Sequence, residues 1–89
     1  MATDTQCKTA YGRLRPYCDG SIEPDGLELL DSGLSDEPYY ALSWLIADIL
    51  SHDTSVPLDT LLEAYDMLED QDKEEYSPML DRRINTDYS

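Results

Sequence analysis

Carboxylates are the groups in this chain that could do chemistry. Between positions 19 and 72 the sequence carries fifteen acids and not one Lys or Arg. Paired carboxylates can act as general acid and base or flank a scissile glycosidic bond. Among twenty acids in 89 residues, however, pairs arise by chance, so pairing points to no reaction. A nuclease site would need bases beside the acids to hold phosphate, and this stretch supplies none. The chain has no Gly-rich phosphate loop, HExxH pair, G-x-S-x-G elbow or Cys-x-x-Cys pair. The stretch from Asp70 lacks the Gly and the closing Glu of a calcium loop. Cys7, Cys18 and the lone His52 make a poor zinc set, and His52 has no nucleophile to serve. The reading is a non-enzyme with no catalytic residue, no metal and no cofactor.

What the acids can do is meet a cation. Twenty acids against six bases give a formal charge of −14, which repels nucleic acid and anionic membrane and steers association with basic partners. A hydrophobic content of 40% is too high for a disordered acidic tail. Three meanings of the acidity compete: an inhibitor surface facing a basic protein, a halophile-type adaptor domain, and plain solubility. Length sets a further bound. A chain this short buries only about 60–65% of its unfolded surface, so binding through an outer face is easier to build than an enclosed pocket. The N-terminus is polar and no apolar run reaches membrane-spanning length, so the expectation is a cytoplasmic protein with two reduced cysteines and no membrane contact.

The elements that must hold these acids read as helices. Asp4 or Thr5 is placed to cap a first helix whose stripe is Cys7, Ala10, Tyr11 and Leu14, ended by Pro16, with Arg15 pushed out of helical geometry. A short second helix spans about residues 23–32. The third, capped by Ser35 or Asp36, turns Leu42, Leu45, Ile46, Ile49 and Leu50 inward. At about 100° per residue, Tyr40, Trp44, Ala47 and Asp48 then fall on the opposite side with Glu37. Such a helix is either central or carries a second contact face. His52 reads as its C-terminal residue. A fourth helix, beginning near Ser55 or Val56 with Pro57 early in it, repeats Leu58, Leu61, Leu62, Tyr65 and Leu68 on one stripe and Asp59, Glu63, Asp66 and Asp70 on another. Residues 69–75 read as a polar connection. Ser77 and Pro78 open a last short helix that closes the core with Met79, Leu80 and Ile84, and Arg82 and Arg83 favour its C-terminal end. No alternating strand or hairpin signal occurs. The expected architecture is a single all-α domain over residues 1–89, an antiparallel bundle of four to five short helices with residues 1–4 and 86–89 frayed.

On that frame the candidate partner-binding residues are Asp36, Glu37, Tyr40, Trp44 and Asp48 around the third helix, and Asp59, Glu63, Asp66 and Asp70 along the fourth. Carboxylates on rigid helices can stand in for phosphates, and buried aromatic anchors supply affinity. Tyr39, Tyr40, Trp44 and Tyr65 are the anchor candidates, Tyr65 being the one that sits on a core stripe.

The middle of the chain also resembles a family. The run from Leu29-Leu30 through Asp36-Glu37-Pro38-Tyr39-Tyr40-Ala41-Leu42-Ser43-Trp44 to Asp48-Ile49-Leu50, followed by Val56-Pro57-Leu58-Asp59-Thr60-Leu61-Leu62, is similar to the small helical immunity proteins of bacterial polymorphic toxin systems, of the Maf and contact-dependent-inhibition types. Their pattern is a hydrophobic pair, a short acidic loop, Ala-Leu in an amphipathic helix, an acid, then a helix introduced by a proline turn. Asp36-Glu37, Ala41-Leu42, Asp48 and Pro57 occupy those places, over about residues 27–68. The resemblance implies a cytoplasmic protein that binds a cognate toxin, often a nuclease, one to one. A phage-encoded nucleic-acid mimic, of the anti-CRISPR or anti-restriction kind, that blocks a basic channel of a host protein is the alternative.

Overall fold

The computed structural model describes the backbone of residues 3–88 and the side chains of residues 3–85. It is an all-α bundle: α1 (Asp4–Leu14), a 3-10 helix (Arg15–Cys18), α2 (Pro24–Gly33), α3 (Pro38–Ser51), α4 (Leu58–Asp66) and α5 (Asp70–Tyr88). Among the described residues the nearest approach to a strand is one isolated bridge, Asp19 to Ile22, across a turn. Gly20 makes that turn with φ of 85°, a value that suits a residue without Cβ.

The bundle is built around α3, which packs against α1, α2, α4 and α5. Its stripe of Leu42, Leu45, Ile46, Ile49 and Leu50 is buried as the periodicity predicts, and Ala41 and Ser43 join it. Cys7, Ala10, Tyr11 and Leu14 of α1, Leu27 and Leu30 of α2, Leu61 and Ala64 of α4, and Tyr76 and Leu80 of α5 close around it. The radius of gyration, 12.2 Å, matches the roughly 12 Å of a compact chain of this length. Ser43 is the polar member of the α3 core, and its hydroxyl finds the Tyr76 hydroxyl at 3.1 Å, so no desolvation penalty is left standing there.

Several boundaries differ from the sequence reading, each for a local reason. Thr3, not Asp4 or Thr5, caps α1: its hydroxyl accepts from the Gln6 amide while Gln6 accepts from the Thr3 amide. This reciprocal capping box satisfies two free donors at once. Thr3 is thus the N-cap and Asp4 the first residue of α1. The α5 backbone continues to Tyr88, whereas residues 1, 2 and 89 and the side chains of 86–89 lie outside the described residues. Arg15 keeps helical angles, φ −53° and ψ −43°. Pro16 does not end the first segment but tightens it into the 3-10 turn, where its fixed φ fits and its missing N–H falls in the opening turn.

The caps of α3 and α4 also move. Pro38 opens α3 because the residue before a proline is driven from helical angles, whereas Pro57, with ψ of 131°, is itself the N-cap of α4. Glu37 thus becomes the residue at the α3 N-cap, without a side-chain cap bond, displacing Ser35 and Asp36. Pro57 itself lies outside α4, which begins at Leu58 and not at Ser55 or Val56. At the other end of α3, His52 is the C-cap as expected. Asp53 follows with φ of 50°, and the Thr54 amide donates back to the Ile49 carbonyl at 3.0 Å. That is a Schellman-type stop with a non-glycine residue in the left-handed position.

The largest correction is α5. The expected polar connection at 69–75 and short final helix form one 19-residue helix with Pro78 inside it. An interior proline costs about 3 kcal/mol. Tyr76 and Leu80 are buried on either side of it, and Pro78 itself is exposed. The helix is anchored through both turns while the carbonyl deprived of its donor belongs to exposed Glu74. Tyr65 adds a bond from its hydroxyl to the Lys73 carbonyl. Arg83, expected to serve its own helix end, instead reaches the Thr54 carbonyl at 2.6 Å. The Thr54 hydroxyl meets Ser21 at 2.7 Å, so this buried threonine ties the loop after α3 to the turn before α2 and to α5.

Candidate partner-binding face

α3 is buried on every side except one. Along that line lie Glu37, Tyr40, Trp44 and Asp48, in the order the helical angle dictates. Trp44 is 60% exposed and Tyr40 55%. A large apolar side chain left this open on a short chain is informative, because the core had every opportunity to take it. α2 supplies the other wall. Leu27 and Leu30 face the core, which turns Leu29 outward to 75% exposure. Two adjoining hollows share Leu29, Leu30 and Trp44: one extends toward Gly33, Glu37 and Tyr40, the other toward Gly26, Ala47 and Asp48. The result is an apolar ridge with a carboxylate at each end.

Two of the aromatic anchor candidates, Tyr39 and Tyr65, are held by the fold. Tyr39, the neighbour of Tyr40, donates its hydroxyl to the Asp72 carboxylate and accepts the Glu69 amide at 2.9 Å. Burial and the Asp72 carboxylate push its phenol well above the ordinary value, so it stays protonated. Its ring meets that of Tyr40 edge to face, 5.7 Å between centroids, which fixes Tyr40 from behind. Tyr39 is thus a support and not a free anchor. Tyr65, half-buried and bonded to Lys73, is equally committed to the fold. Asp48 is the other notable group. Partial burial raises its carboxyl above the usual aspartate value, opposed only by His52. No Lys or Arg occurs on α2, α3 or α4.

The second acidic set is arranged differently. Asp59, Glu63 and Asp66 are exposed on α4, but Glu63 is met by Arg13 of α1 at 3.1 Å and Asp59 accepts the Thr60 amide at 2.9 Å. Asp70 does not continue the row. α4 stops at Asp66, and Asp70 is the first residue of α5, where its charge faces the positive end of a helix dipole. Asp66 and Asp70 still border one open groove with Gln6, Glu69 and Lys73. Asp36 is exposed in the turn before α3 and lines neither hollow of the ridge.

Residues that the sequence reading left out are Leu29, which completes the ridge, and Asp31. The signal for Leu29 was present: with Leu27 and Leu30 on one face of α2, a third leucine between them must point elsewhere. Asp31 receives Arg15 through Nε at 3.0 Å and Nη2 at 3.0 Å, and the Tyr11 hydroxyl at 2.5 Å. Arg15 also holds Asp19 at 2.8 Å. The Arg15 guanidinium, with Tyr11, holds the Asp31 carboxyl below its ordinary range. Arg15 and Arg13 are thereby paired with the α2 edge and with α4, and neither borders the hollows of the ridge.

Cys7 and Cys18 are free thiols in the core, and burial pushes Cys18 up to about 11, so neither is a nucleophile near neutrality. Among the described residues no three His, Cys, Asp or Glu side chains are grouped to hold a metal ion, and no helix is long and apolar enough to cross a membrane. Comparison of the chain with protein-family models, curated proteins and solved structures returns no match.

Proposed function

We propose that this chain is a non-enzymatic acidic inhibitor, an immunity-type protein of the cytoplasm that neutralises a cognate basic toxin, a nuclease, by docking its α2–α3 face on it. The observation that carries this reading is the exposed Leu29, Tyr40 and Trp44 ridge, ended by Glu37 and Asp48 on a surface whose helices hold no base. An apolar centre rimmed by one sign of charge is the arrangement in which a few anchors give affinity and the rim gives encounter rate and selectivity. An exposed aromatic anchor supplies contact-range affinity that rows of carboxylates alone do not, which favours a partner with an apolar pocket beside its basic groups over a channel that reads phosphate spacing alone.

The test is capture on the immobilised chain from source cells at physiological salt, identification of the bound protein, and titration of that protein's nucleic-acid cleavage with this one. The expected result is a basic protein whose activity disappears at one equivalent. If the captured proteins keep full activity in excess of this chain, the inhibitor reading fails.

A further inference from the structure

We infer that the hollow between α2 and α3 recognises an arginine on the partner, its guanidinium stacked on Trp44 and paired with Asp48, beside an aliphatic residue seated against Leu29 and Leu30. This deepens the reading above, whose partner is basic, by naming the side chain that the ridge selects.

Trp44 and Asp48 are one turn apart on α3, a spacing that sets Cβ atoms about 5–6 Å from each other, and both border the same hollow. An indole face and a carboxylate at that separation suit a planar cation that can stack on one and donate to the other. Guanidinium does both; an ammonium is a compact, strongly hydrated point charge that does not stack. Asp48 is an independent indication. Its carboxylate is partly desolvated with only His52 to offset its charge, and an arriving cation would relieve that cost. The apolar half of the hollow, Leu29, Leu30 and Ala47, takes hydrocarbon and leaves no place for a second charge. A second copy of the chain is a poor occupant. Its matching face brings Glu37 and Asp48 with no base on the same helices, and like charges across an interface oppose association.

The probe is a blocked helical peptide of about three turns carrying arginine one turn from leucine on an otherwise uncharged sequence, with a lysine twin. Trp44 is the one tryptophan of the chain, so its emission reports occupancy directly; calorimetry serves the variants that lack it. At about 0.15 M salt the arginine peptide should saturate the signal and bind roughly three- to fivefold more tightly than the lysine peptide. Asp48→Asn and Trp44→Ala should each remove that preference, Asp48→Glu should retain part of it, and the neutralised α4 variant Asp59→Asn/Glu63→Gln/Asp66→Asn should keep it whole. Equal affinity for the two peptides, a preference surviving Asp48→Asn, or a free protein that sediments as a dimer dissolved by Trp44→Ala would overturn the assignment. Melting curves for each variant show that the fold is retained. Arginine selectivity without any inhibited partner would sink the inhibitor reading alone; an inhibited partner without arginine selectivity would sink this one alone.

Discussion

The acids beside α3 and the acids along α4 differ in what stands next to them. On α3, Glu37 and Asp48 bracket an aromatic ridge, and Asp48 is partly withdrawn from water. On α4, Asp59, Glu63 and Asp66 stand in solvent, and Glu63 is offset by Arg13. A solvated carboxylate acts at long range, is screened by salt and adds little once partners touch. A desolvated carboxylate beside an apolar anchor acts at contact range and governs dissociation. On the proposed reading, equal formal charge would then carry unequal roles: α4 for the approach, the α2–α3 ridge for the hold.

The comparison can be broken most visibly within α3 itself. Ile46→Ala removes a fully buried side chain and should cost about 3 kcal/mol in urea unfolding. Trp44→Ala, two residues away, should leave the unfolding free energy within about 0.5 kcal/mol yet weaken the basic partner by about 2 kcal/mol or more, mostly through faster dissociation. Surface plasmon resonance beside denaturation separates the two. A Trp44→Ala protein that melts early and binds normally would make Trp44 a core residue.

Reversal of Asp59, Glu63 and Asp66 to Lys should slow association about tenfold at low salt and flatten its salt dependence, with dissociation unchanged. An unaltered rate and slope would remove α4 from the encounter surface.

Two aspartates give a smaller effect of opposite sign. Asp31 is held below its usual value first by Arg15, so its stabilisation is complete above the unfolded aspartate pKa and disappears as pH falls through the lower folded one. Asp31→Asn should therefore cost stability at pH 7, under about 1 kcal/mol because the side chain is 44% exposed, and cost almost nothing in strong acid. Asp48 is raised by burial; its charge opposes folding at neutral pH, and that cost vanishes as pH drops below the raised value. Asp48→Asn should raise stability at pH 7 by a few tenths of a kcal/mol while weakening the partner. Urea titrations at pH 7 and pH 3 check both, and a destabilised Asp48→Asn protein would assign Asp48 to the fold and not to the ridge.

Helical periodicity already separated the two sides of α3, since Leu42, Leu45, Ile46 and Ile49 recur on one face and Tyr40, Trp44 and Asp48 on the other whatever packs around them. The same arithmetic placed Leu61 of α4 in the core, whereas Leu58, Leu62 and Tyr65 are only half-buried and Leu68 is buried beyond the helix end at Asp66. It did not say whether the aromatic side of α3 would remain open, because an aromatic face serves a core as well as a partner. The helix at 70–88 was hidden by a local rule: Pro78 and a run of charges both argue against a helix, and only the burial of Tyr76 and Leu80 against α3 outweighs them. Tyr76, Leu80 and Ile84 at four-residue steps were the available trace of it.

What the sequence determined by itself was the set of helices with strong periodicity, the absence of Lys and Arg between Arg15 and Lys73, and hence the sign of the charge that the central helices carry. Each follows from bonds and angles within a turn or from simple summation of charge. Tertiary structure alone decided that Arg13 and Arg15 turn to Glu63 and Asp31, that Tyr39 is bound behind Tyr40, and that Leu29 of α2 comes to stand beside Trp44 of α3. These are contacts between distant positions, and nothing in the local chain specifies which face of one helix another will cover.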